Sequence, residues 1–309
     1  MNAPRNPLRR LVLKALAASG ISAAMAHRSS AETQAMAVRP IPASGEMLPV
    51  VGLGTYQSFD VGGGSSERDT LKDVLRLFVQ QGGKLIDSSP MYGPSESVVG
   101  DLATELGITG QLVMATKVWT SGREAGIRQM EESLRRMKVP RMDLMQIHNL
   151  LDWKTHLATL KQWKAAGRIR YIGITHYHSG AYAELERLMR TKDFDFVQFN
   201  YSIAEREAEE RILPFAQDAG VAVIVNRPFA QASLFLRVRG KDVPAWAGEF
   251  DCKSWGQFFL KYILSHPAVT CVIPATGKPQ HLVDNMMAGI GHLPDAAMRT
   301  RMIAFMNDL

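Results

Sequence analysis

Short apolar runs alternate with stretches of helical periodicity from about residue 47 onward. Each apolar run is followed by a polar break and then by a segment whose apolar positions recur every three or four residues, which predicts an amphipathic helix. The predicted strands are Leu48–Tyr56, Lys84–Ser88, Leu112–Val118, Met142–His148, Arg170–His176, Phe196–Tyr201, Val221–Asn226 and Thr270–Ala275. The predicted helices are Asp69–Gln81, Ser95–Leu106, Arg123–Met137, Thr155–Ala166, Ala181–Arg190, Glu207–Ala219, Ser254–Ser265 and His281–Ala288.

Eight strand–helix units in succession predict an α/β fold and, within that class, a (β/α)8 TIM barrel. Strands that alternate with helices of about 10–15 residues are typical of a parallel sheet. Eight units without a break in composition favour a closed barrel over an open sheet. Met36–Met47 is predicted to form a plug or hairpin at the bottom of the barrel, and Pro294–Leu309 a final surface helix. An open doubly wound sheet would carry Gly-x-Gly-x-x-Gly after its first strand, and Gly52–Gln57 lacks the third glycine.

The composition is that of a globular protein with a large core. Of the 309 residues, 46% are apolar and 21% are charged, which argues against disorder, and this length is normal for one barrel with extensions. The formal net charge is +6, but residues 1–26 hold four basic residues and no acid, which leaves 32 basic against 30 acidic residues in the remainder. Because the remainder is nearly neutral and has no Lys/Arg run, we expect no nucleic-acid partner.

The two cysteines, Cys252 and Cys271, are too few for a disulfide framework. Cys271 lies in the apolar run 269–273, where a buried structural thiol is expected. No spacing of cysteine and histidine is typical of a metal site, so the sequence predicts no metal.

The N-terminal segment has the features of an export signal. A twin arginine, Arg9-Arg10, is followed by a short apolar start, a lysine and the weakly apolar residues 15–26. This pattern is typical of twin-arginine export, and the small residues of Ala24-Met25-Ala26 predict cleavage before His27, or as late as residue 31. The stretch is too short and too interrupted for a spanning helix of about 20 apolar residues, so no stable membrane insertion is expected. The alternative is a disordered basic tail on a cytoplasmic protein.

The expected domain organisation follows from these two regions. Residues 1–26 are predicted to be the twin-arginine signal peptide, residues 27–37 a linker and residues 38–309 the barrel. The export machinery is then an expected partner, and the periplasm is the expected location of the mature protein.

Three ionisable residues end consecutive predicted strands. They are Asp87, Lys117 and His148, spaced by 30 and 31 residues, which is one strand–helix unit each, and Tyr92 lies in the loop after Asp87. Catalysis in barrels takes place at the C-terminal ends of the strands, so the four side chains are predicted to share one rim. Each residue alone is more often structural, and their joint occurrence at this spacing carries the prediction.

These residue types indicate acid–base work at a carbonyl group. A phenol, with a pKa near ~10, is a weak proton donor at neutral pH, and a buried ammonium from Lys117 is expected to lower the pKa of Tyr92. Asp87 is the expected counter-ion of that lysine. His148 is expected to hydrogen-bond the carbonyl oxygen or to share the tyrosine proton. Because the set contains no usual pair of nucleophile and base, it needs a donor such as hydride from a cofactor.

Several segments resemble the aldo-keto reductase family, in order and in register, over about residues 38–309. They are Gly52–Tyr56, Ile86–Gly93 with Glu96, Ala115–Trp119, Asp143–His148, Arg170–Ile174, Val197–Tyr201 and Val272–Thr276. The resemblance implies Tyr92 as the proton donor, Lys117 and Asp87 as its tuning pair, and His148 as the orienting residue. It also implies NADP(H) across the barrel mouth and a small-molecule carbonyl substrate, an aldehyde or ketone that is reduced or the alcohol that is oxidised.

The resemblance further implies a set of cofactor contacts. Gln198 matches the residue that binds the carboxamide and Asn285 the adenine contact, while Lys278 and His281 lie where the family places groups around the 2′-phosphate. Two cations there favour NADP over NAD, although both are weaker clamps than a bidentate arginine. The implied cofactor-binding residues are Gly54, Thr55, Tyr56, Asp87, Thr175, His176, Gln198, Asn226, Arg227, Thr276, Lys278, His281 and Asn285.

The chain departs from the family's pattern at three places. Thr175-His176 stands where relatives usually have Ser-Asn, Asn226 where an aromatic residue often stacks on the nicotinamide ring, and Asn149 where tryptophan often follows the histidine. Arg227 is implied to grip the pyrophosphate instead. These departures bear on ring stacking and substrate class rather than on the four catalytic residues. The expected substrate pocket is lined by Tyr56, Trp119 and Asn149.

Two other functions fit the pattern less well. Some members of the family are regulatory subunits, so one alternative is a cofactor-binding barrel that serves as a regulatory or redox-sensing module with little turnover. Another is a lyase or isomerase barrel unrelated to nicotinamide, but such barrels usually show metal ligands or a phosphate loop, and neither is visible in the sequence. Turnover of NADPH with simple aldehydes discriminates between these functions.

Overall fold

The structure, a computed structural model, describes residues 35–64 and 66–309. Its strands are Val38–Pro40 (β1), Met47–Pro49 (β2), Leu53–Gly54 (β3), Leu85–Asp87 (β4), Val113–Val118 (β5), Met142–His148 (β6), Ile169–Thr175 (β7), Phe196–Asn200 (β8), Ala222–Asn226 (β9) and Val269–Val272 (β10). Its α-helices are Ser66–Gln80 (α1), Ser95–Glu105 (α2), Arg123–Arg136 (α3), Trp153–Ala165 (α4), Tyr182–Met189 (α5), Ile212–Ala219 (α6), Ser233–Arg237 (α7), Trp255–Leu264 (α8), Pro279–Met287 (α9) and Ala296–Asn307 (α10).

The strands β3 to β10 form one parallel sheet in which each strand pairs with its neighbours in sequence. Parallel pairing of Val51 with Val272 and of Gly54 with Ala275 joins the first of these strands to the last and closes the sheet. The helices follow the strands in alternation, as strand–helix units require. The predicted (β/α)8 TIM barrel is therefore confirmed.

An antiparallel hairpin of β1 and β2 precedes the barrel, with Val38 opposite Pro49. Between these strands, Ile41 is fully buried, and so is Leu48 of β2; both pack against inward-facing residues near the beginnings of the barrel strands, such as Leu85 and Val113. The hairpin therefore closes the bottom of the barrel, as the sequence predicted.

The prediction of one strand over Leu48–Tyr56 is wrong. Residues 47–49 belong to the hairpin, and β3 comprises only Leu53 and Gly54. The backbone at Gly52 and Gly54 runs unusually close to the neighbouring strands. A Cβ on Gly52 would lie 2.9 Å from Leu85 O, and one on Gly54 would lie 2.9 Å from Ile273 O. Hydrophobic periodicity alone does not separate two short strands that follow each other directly.

The segment between β9 and α8 contains structure that the sequence pattern did not predict. It holds the short helix α7 and a 3₁₀ turn over Ala245–Phe250. Elsewhere the predicted helix Glu207–Ala219 begins with a 3₁₀ turn at Glu207–Glu209 and becomes α-helical only in α6. The final surface helix is present as α10.

Alternation along the strands brings the candidate residues into the barrel interior. Ala115 belongs to the core inside the barrel, and Lys117 lies two residues further along β5. On β6, Leu144 belongs to the same core and is followed at the same interval by Gln146 and His148. Because side chains two residues apart on a strand point to the same side, an apolar layer at the bottom gives way to polar groups at the top.

The predicted signal peptide, residues 1–26, and most of the predicted linker lie outside the described residues. Ala37, the last residue of that linker, donates to Gly289 O at 2.8 Å and accepts from Val50 N at 3.0 Å, so it is already part of the folded chain. In the part of the chain that the structure describes, no helix combines the length and the apolar character needed to cross a membrane.

Candidate active site

A buried ion pair lies at the centre of the barrel's upper end. Lys117 Nζ donates to Asp87 Oδ2 at 2.6 Å and to Ser88 O at 2.6 Å. The lysine side chain is fully buried, and 3% of the aspartate side chain is exposed. Burial alone would lower the pKa of Lys117, but the charge of Asp87 and the neighbouring Tyr92 outweigh it and raise the pKa. The ammonium is therefore charged at neutral pH.

The second oxygen of Asp87 accepts two amide hydrogen bonds. Gln146 Nε2 donates to Oδ1 at 2.8 Å, and Gln198 Nε2 donates to the same atom at 3.0 Å. Gln198 Nε2 also lies 3.3 Å from Gln146 Oε1 and donates to it. Each oxygen of the carboxylate thus has a donor, which buried charges require.

Tyr92 lies above the ion pair, in the loop between β4 and α2. Lys117 Nζ is 5.0 Å from the centroid of its ring, and the ring of Tyr56 is 5.0 Å away on another side. Burial raises the pKa of the Tyr92 phenol, and the lowering effect of Lys117 offsets this only in part. Lys117 thus lowers the pKa of Tyr92, as expected, but desolvation of the phenolate is the larger effect, so the net shift in the protein alone is upward.

His148 ends β6 beside the tyrosine. Its Nδ1 lies 3.1 Å from Ser89 Oγ. Its ring meets the Tyr92 ring edge-on with 6.0 Å between the ring centroids, and its centroid lies 6.1 Å from that of the Trp119 ring. Burial and then the charge of Lys117 lower the pKa of His148 to about 3. The imidazole is therefore neutral at physiological pH, with one N–H to donate.

The structure thus brings together the four residues that were predicted as catalytic: Asp87, Tyr92, Lys117 and His148. Sequence reasoning missed Gln146 and Ser89, which touch two of them. Gln146 lies two residues before His148 on the same strand, and this alternation is the signal that places it on the same side. No comparable signal distinguishes Ser89 from the other residues of its loop.

The predicted carboxamide contact, Gln198, is held on all sides by protein groups. Its Oε1 accepts from Thr175 Oγ1 at 2.9 Å and from Asn226 Nδ2 at 3.3 Å, which uses both lone pairs. Asn226 Nδ2 also donates to His176 O at 2.9 Å. The side-chain oxygen of Asn226 therefore points away from the His176 carbonyl. Asn226 Oδ1 is buried and has no hydrogen-bond partner.

Arg227 joins the loops that follow β7 and β9. Its Nη1 donates to Tyr177 O at 2.9 Å, and its Nη2 lies 3.9 Å from Glu205 Oε1. Its Nε is buried without a partner. The residue has a φ of 50°, and Ala230, Gln231 and Ala232 are also left-handed. Several non-glycine residues in this conformation store backbone strain beside the mouth of the barrel, as functional loops often do.

The three predicted pocket residues surround the tyrosine and the histidine. Tyr56 and Trp119 are 51% and 41% exposed, which is high for aromatic side chains of this size. Asn149 follows His148 directly with a φ of 52°, and its Oδ1 is buried without a partner. The geometry therefore gives an open recess with aromatic walls and an amide at its edge.

The remaining predicted cofactor residues lie along the rim from β3 to α9. Thr55 Oγ1 donates to Asp87 O at 3.1 Å, which ties the end of β3 to β4, and Gly54 pairs with Ala275 just before Thr276. Lys278 precedes α9, and His281 is exposed in its first turn. Asn285 is nearly buried on the same helix, and a Cβ on Gly256 would lie 3.5 Å from its Oδ1.

The described residues contain two buried thiols and no candidate metal site. Cys252 and Cys271 are free and buried, and burial raises the pKa of the Cys252 thiol to about 11. Among residues 35–64 and 66–309, no group of histidine, cysteine, aspartate and glutamate is arranged to hold a metal ion.

Comparisons with known proteins find aldo/keto reductases that are similar to this chain. A family model described as the Aldo/keto reductase family matches residues 50–300. The methylglyoxal reductase YeaE of Escherichia coli strain K12 is 29% identical over 259 residues, which are 81% of this chain and 89% of that protein. The aldo-keto reductase YhdN of Bacillus subtilis strain 168 is 28% identical over 190 residues, and the match spans 57% of this chain and 56% of the Bacillus protein.

Solved structures show the same fold. An aldo/keto reductase from Klebsiella pneumoniae in complex with NADP and acetate has a TM-score of 0.73 and 23% identity, over 84% of this chain and 92% of that one. The holo form of the aldo-keto reductase AKR11C1 from Bacillus halodurans has a TM-score of 0.70 and 22% identity, over 88% of this chain and 96% of that one.

Proposed function

This chain belongs to the aldo/keto reductase family, and from that premise we propose that it is an NADP(H)-dependent oxidoreductase. It reduces a small aldehyde or ketone, or oxidises the corresponding alcohol, with Tyr92 as the proton donor. The observation that carries the proposal is the buried pair of Lys117 and Asp87 beneath the Tyr92 ring, beside a neutral His148.

Each of the four residues has one task in this reaction. When bound, the nicotinamide cofactor supplies a hydride to the carbonyl carbon. The Tyr92 hydroxyl gives its proton to the carbonyl oxygen, and Lys117 stabilises the phenolate that remains, because an adjacent cation favours the charged form. Neutral His148 donates a hydrogen bond to the same oxygen and stabilises the negative charge that develops there. Asp87 keeps the lysine charged and in place.

The residues at the mouth fit a nicotinamide cofactor. Asn226 Oδ1 is a buried acceptor, and Nε–H of the next residue, Arg227, is a buried donor; neither has a hydrogen-bond partner. A carboxamide carries the complementary donor and acceptor. An unpaired buried polar group costs about 1–3 kcal/mol, so a ligand that pairs both is favoured. These two groups fit the carboxamide better than Gln198, whose acceptor is already used.

The 2′-phosphate of NADP fits the beginning of α9. Lys278 and His281 are exposed there, and a helix N-terminus presents unpaired N–H groups and a positive dipole end to an anion. The relative from Klebsiella pneumoniae was solved with NADP, whereas one Escherichia coli relative is an NADH-specific methylglyoxal reductase. Cofactor choice in this chain therefore rests on its own residues.

Turnover and cofactor binding together test the proposal. The purified protein is mixed with NADPH and a panel of small aldehydes, ketones and quinones, and NADPH oxidation is followed by absorbance. Consumption of NADPH at saturable rates supports a reductase, and tight NADPH binding without turnover of any panel member contradicts it in favour of a regulatory barrel. Changing Lys278 and His281 together to alanine is expected to weaken NADPH about tenfold or more relative to NADH. Equal loss for both cofactors would contradict the placement of the phosphate.

We also propose that the protein is exported to the periplasm by the twin-arginine route. The support is the Arg9-Arg10 pair with the small-residue pattern at Ala24-Met25-Ala26. Cell fractionation with N-terminal sequencing and nucleotide analysis is the test. Mature protein that begins near His27 outside the inner membrane, with about one nucleotide per chain, supports export with bound cofactor. Protein that retains residues 1–26 and fractionates with the cytosol contradicts it.

A further inference from the structure

Gln146 lies inside the barrel beside the lysine of the buried pair. It stands opposite Lys117 in the pairing of β5 with β6 and opposite Gly173 in the pairing of β6 with β7. Its side chain is fully buried. A Cβ on Gly173 would lie 2.8 Å from Gln146 Cγ, so the glycine leaves the space that the glutamine side chain fills.

The amide of Gln146 connects two parts of the site. Its Nε2 donates to Asp87 Oδ1 at 2.8 Å, and its Oε1 accepts from Gln198 Nε2 at 3.3 Å. Gln198 has further contacts that do not depend on Gln146, since it also donates to Asp87 and accepts from Thr175 and Asn226. Loss of Gln146 therefore removes the shortest amide contact of Asp87 and leaves Gln198 held.

We propose that Gln146 is a positioning residue of the reductase site: its amide fixes the Asp87 carboxylate, and through Asp87 and Lys117 it sets the proton affinity of Tyr92. The inference rests on the proposed function, because it concerns the proton that Tyr92 gives or takes. The residue touches neither substrate nor the reacting atoms, and it acts through the aspartate.

The direction of the effect follows from hydrogen bonding to a charged form. A donor to a carboxylate favours the ionised state, so removing the Gln146 N–H lets Asp87 hold the lysine proton more closely. Lys117 then presents less positive charge to the phenol, and the pKa of Tyr92 rises further. The titratable groups that face Asp87, Lys117 and Tyr92 are Cys271 of β10 near Asp87, His148 and Glu96 near Lys117, and Tyr56 near Tyr92.

The test uses Gln146→Leu, which keeps the volume and removes both hydrogen bonds. In alcohol oxidation the Tyr92 phenolate is the base, so kcat rises with pH until that group is deprotonated. We expect this rising part of the pH profile, the pH limb, to move to higher pH by about one unit. At pH values below the limb, kcat should then fall about tenfold. NADPH affinity, measured by fluorescence titration, should stay within about threefold of wild type, because Gln198 keeps its other contacts and still accepts from Asn226, which is proposed to bind the carboxamide.

A conservative variant separates positioning from packing. In Gln146→Glu the new carboxyl lies buried beside Asp87, so its pKa is raised and it remains protonated near pH 6. A protonated carboxyl has an O–H to donate to Asp87 and a C=O to accept from Gln198. At that pH it should restore kcat to within about threefold of wild type, and the rescue should fade as the carboxyl ionises at higher pH. Gly173→Ala, which displaces the Gln146 side chain, should move the pH limb in the same direction as the leucine variant.

Gln257→Leu is the matched control. Gln257 is also a nearly buried glutamine, and its Nε2 donates to a carboxylate, Asp284 Oδ1, at 2.7 Å. It should leave the pH limb at its wild-type position. An unmoved limb in Gln146→Leu, equal losses in the leucine and glutamate variants at pH 6, or the same shift in Gln257→Leu would each overturn the inference while the reductase function stands. A wild-type protein that neither binds NADPH nor turns over would overturn the proposed function itself.

Discussion

The two ends of the barrel use the same kind of ion pair for different purposes. At the top, Lys117 and Asp87 are 0% and 3% exposed. At the bottom, Arg170 pairs with Glu46 of the hairpin and with Asp143, and these side chains are 29%, 35% and 15% exposed. Water screens the lower group and not the upper one. Burial therefore decides whether a charge pair changes the proton affinity of its neighbours or only holds two segments together.

The bottom of the barrel is built for closure. Glu46 accepts from Arg170 and, at 2.8 Å, from the hydroxyl of Tyr171. Arg39 of β1 donates to the carbonyl oxygens of Leu264 at the end of α8, His266 in the following turn and Val269 at the start of β10. These contacts attach the hairpin to the barrel, and none of them involves the four residues at the top.

The largest expected effect comes from the proton donor at the top. Tyr92→Phe removes the phenol oxygen and keeps the ring, so carbonyl reduction should fall by about 10²–10⁴-fold, while the melting temperature and NADPH binding stay near wild type. Steady-state kinetics with an aldehyde found in the panel measure the loss. A variant within about threefold of wild type would remove Tyr92 from the role of proton donor.

The next effect compares two ion pairs of equal length. Lys117→Met leaves Asp87 buried without its cation and should lower the free energy of unfolding by about 3–5 kcal/mol. Lys161 Nζ lies 2.6 Å from Asp193 Oδ1, but these side chains are 51% and 25% exposed. Lys161→Met should therefore cost less than about 1 kcal/mol. Urea unfolding of the two variants measures the difference, and equal costs would contradict the role of burial.

A smaller effect concerns pH. The pKa of His148 is about 3 in the folded protein, below its ordinary value of 6.5. Between those values the unfolded chain binds a proton that the folded chain does not, so stability falls as the pH falls through this window. His148→Gln removes this contribution and should reduce the slope by up to about 1.4 kcal/mol per pH unit. Unfolding free energies measured at intervals from about pH 7 to about pH 4 provide the check, and an unchanged slope would mean that His148 is not held neutral.

The smallest effect is expected at the bottom. Glu46→Gln keeps a side chain that can accept from Tyr171 but removes the charge that faces Arg170. The free energy of unfolding should fall by less than about 1 kcal/mol, and kcat should not change, because the hairpin lies at the opposite end from Tyr92. A loss of activity in this variant would show that the two ends are coupled.

Much of the fold could be predicted from the sequence because strand–helix alternation is a strong, repeated signal. Seven of the eight barrel strands, β4 to β10, follow from this alternation, and the hairpin and the final helix lie where the sequence placed them. The division of Leu48–Tyr56 could not be predicted, because both pieces are apolar and the break depends on close approach of Gly52 and Gly54 to other strands. α7 could not be predicted either, since five residues are too few to show a helical period.

The site was partly predictable for a related reason. Asp87, Lys117 and His148 could be placed on one rim because strand ends in a barrel share a face. The net effect on the Tyr92 phenol could not be predicted, because it is a balance between burial and a nearby charge, and burial depends on tertiary packing. The contact of Gln146 with Asp87 depends on the space beside Gly173, which only the pairing of β6 with β7 shows.

The joint between β3 and β10 has a consequence for how the protein is made. It pairs Val51 with Val272 and Gly54 with Ala275, so a growing chain carries β3 long before its second neighbour has been synthesised. An unpaired strand edge invites association with other chains, and folding of larger proteins exposes such edges transiently. β3 is only two residues long, which limits that exposure. Ribosome-bound chains that end before residue 269 would therefore contain Lys117 and Asp87 but no closed barrel. The mouth between Thr55 and Thr276 would form only at the end of translation.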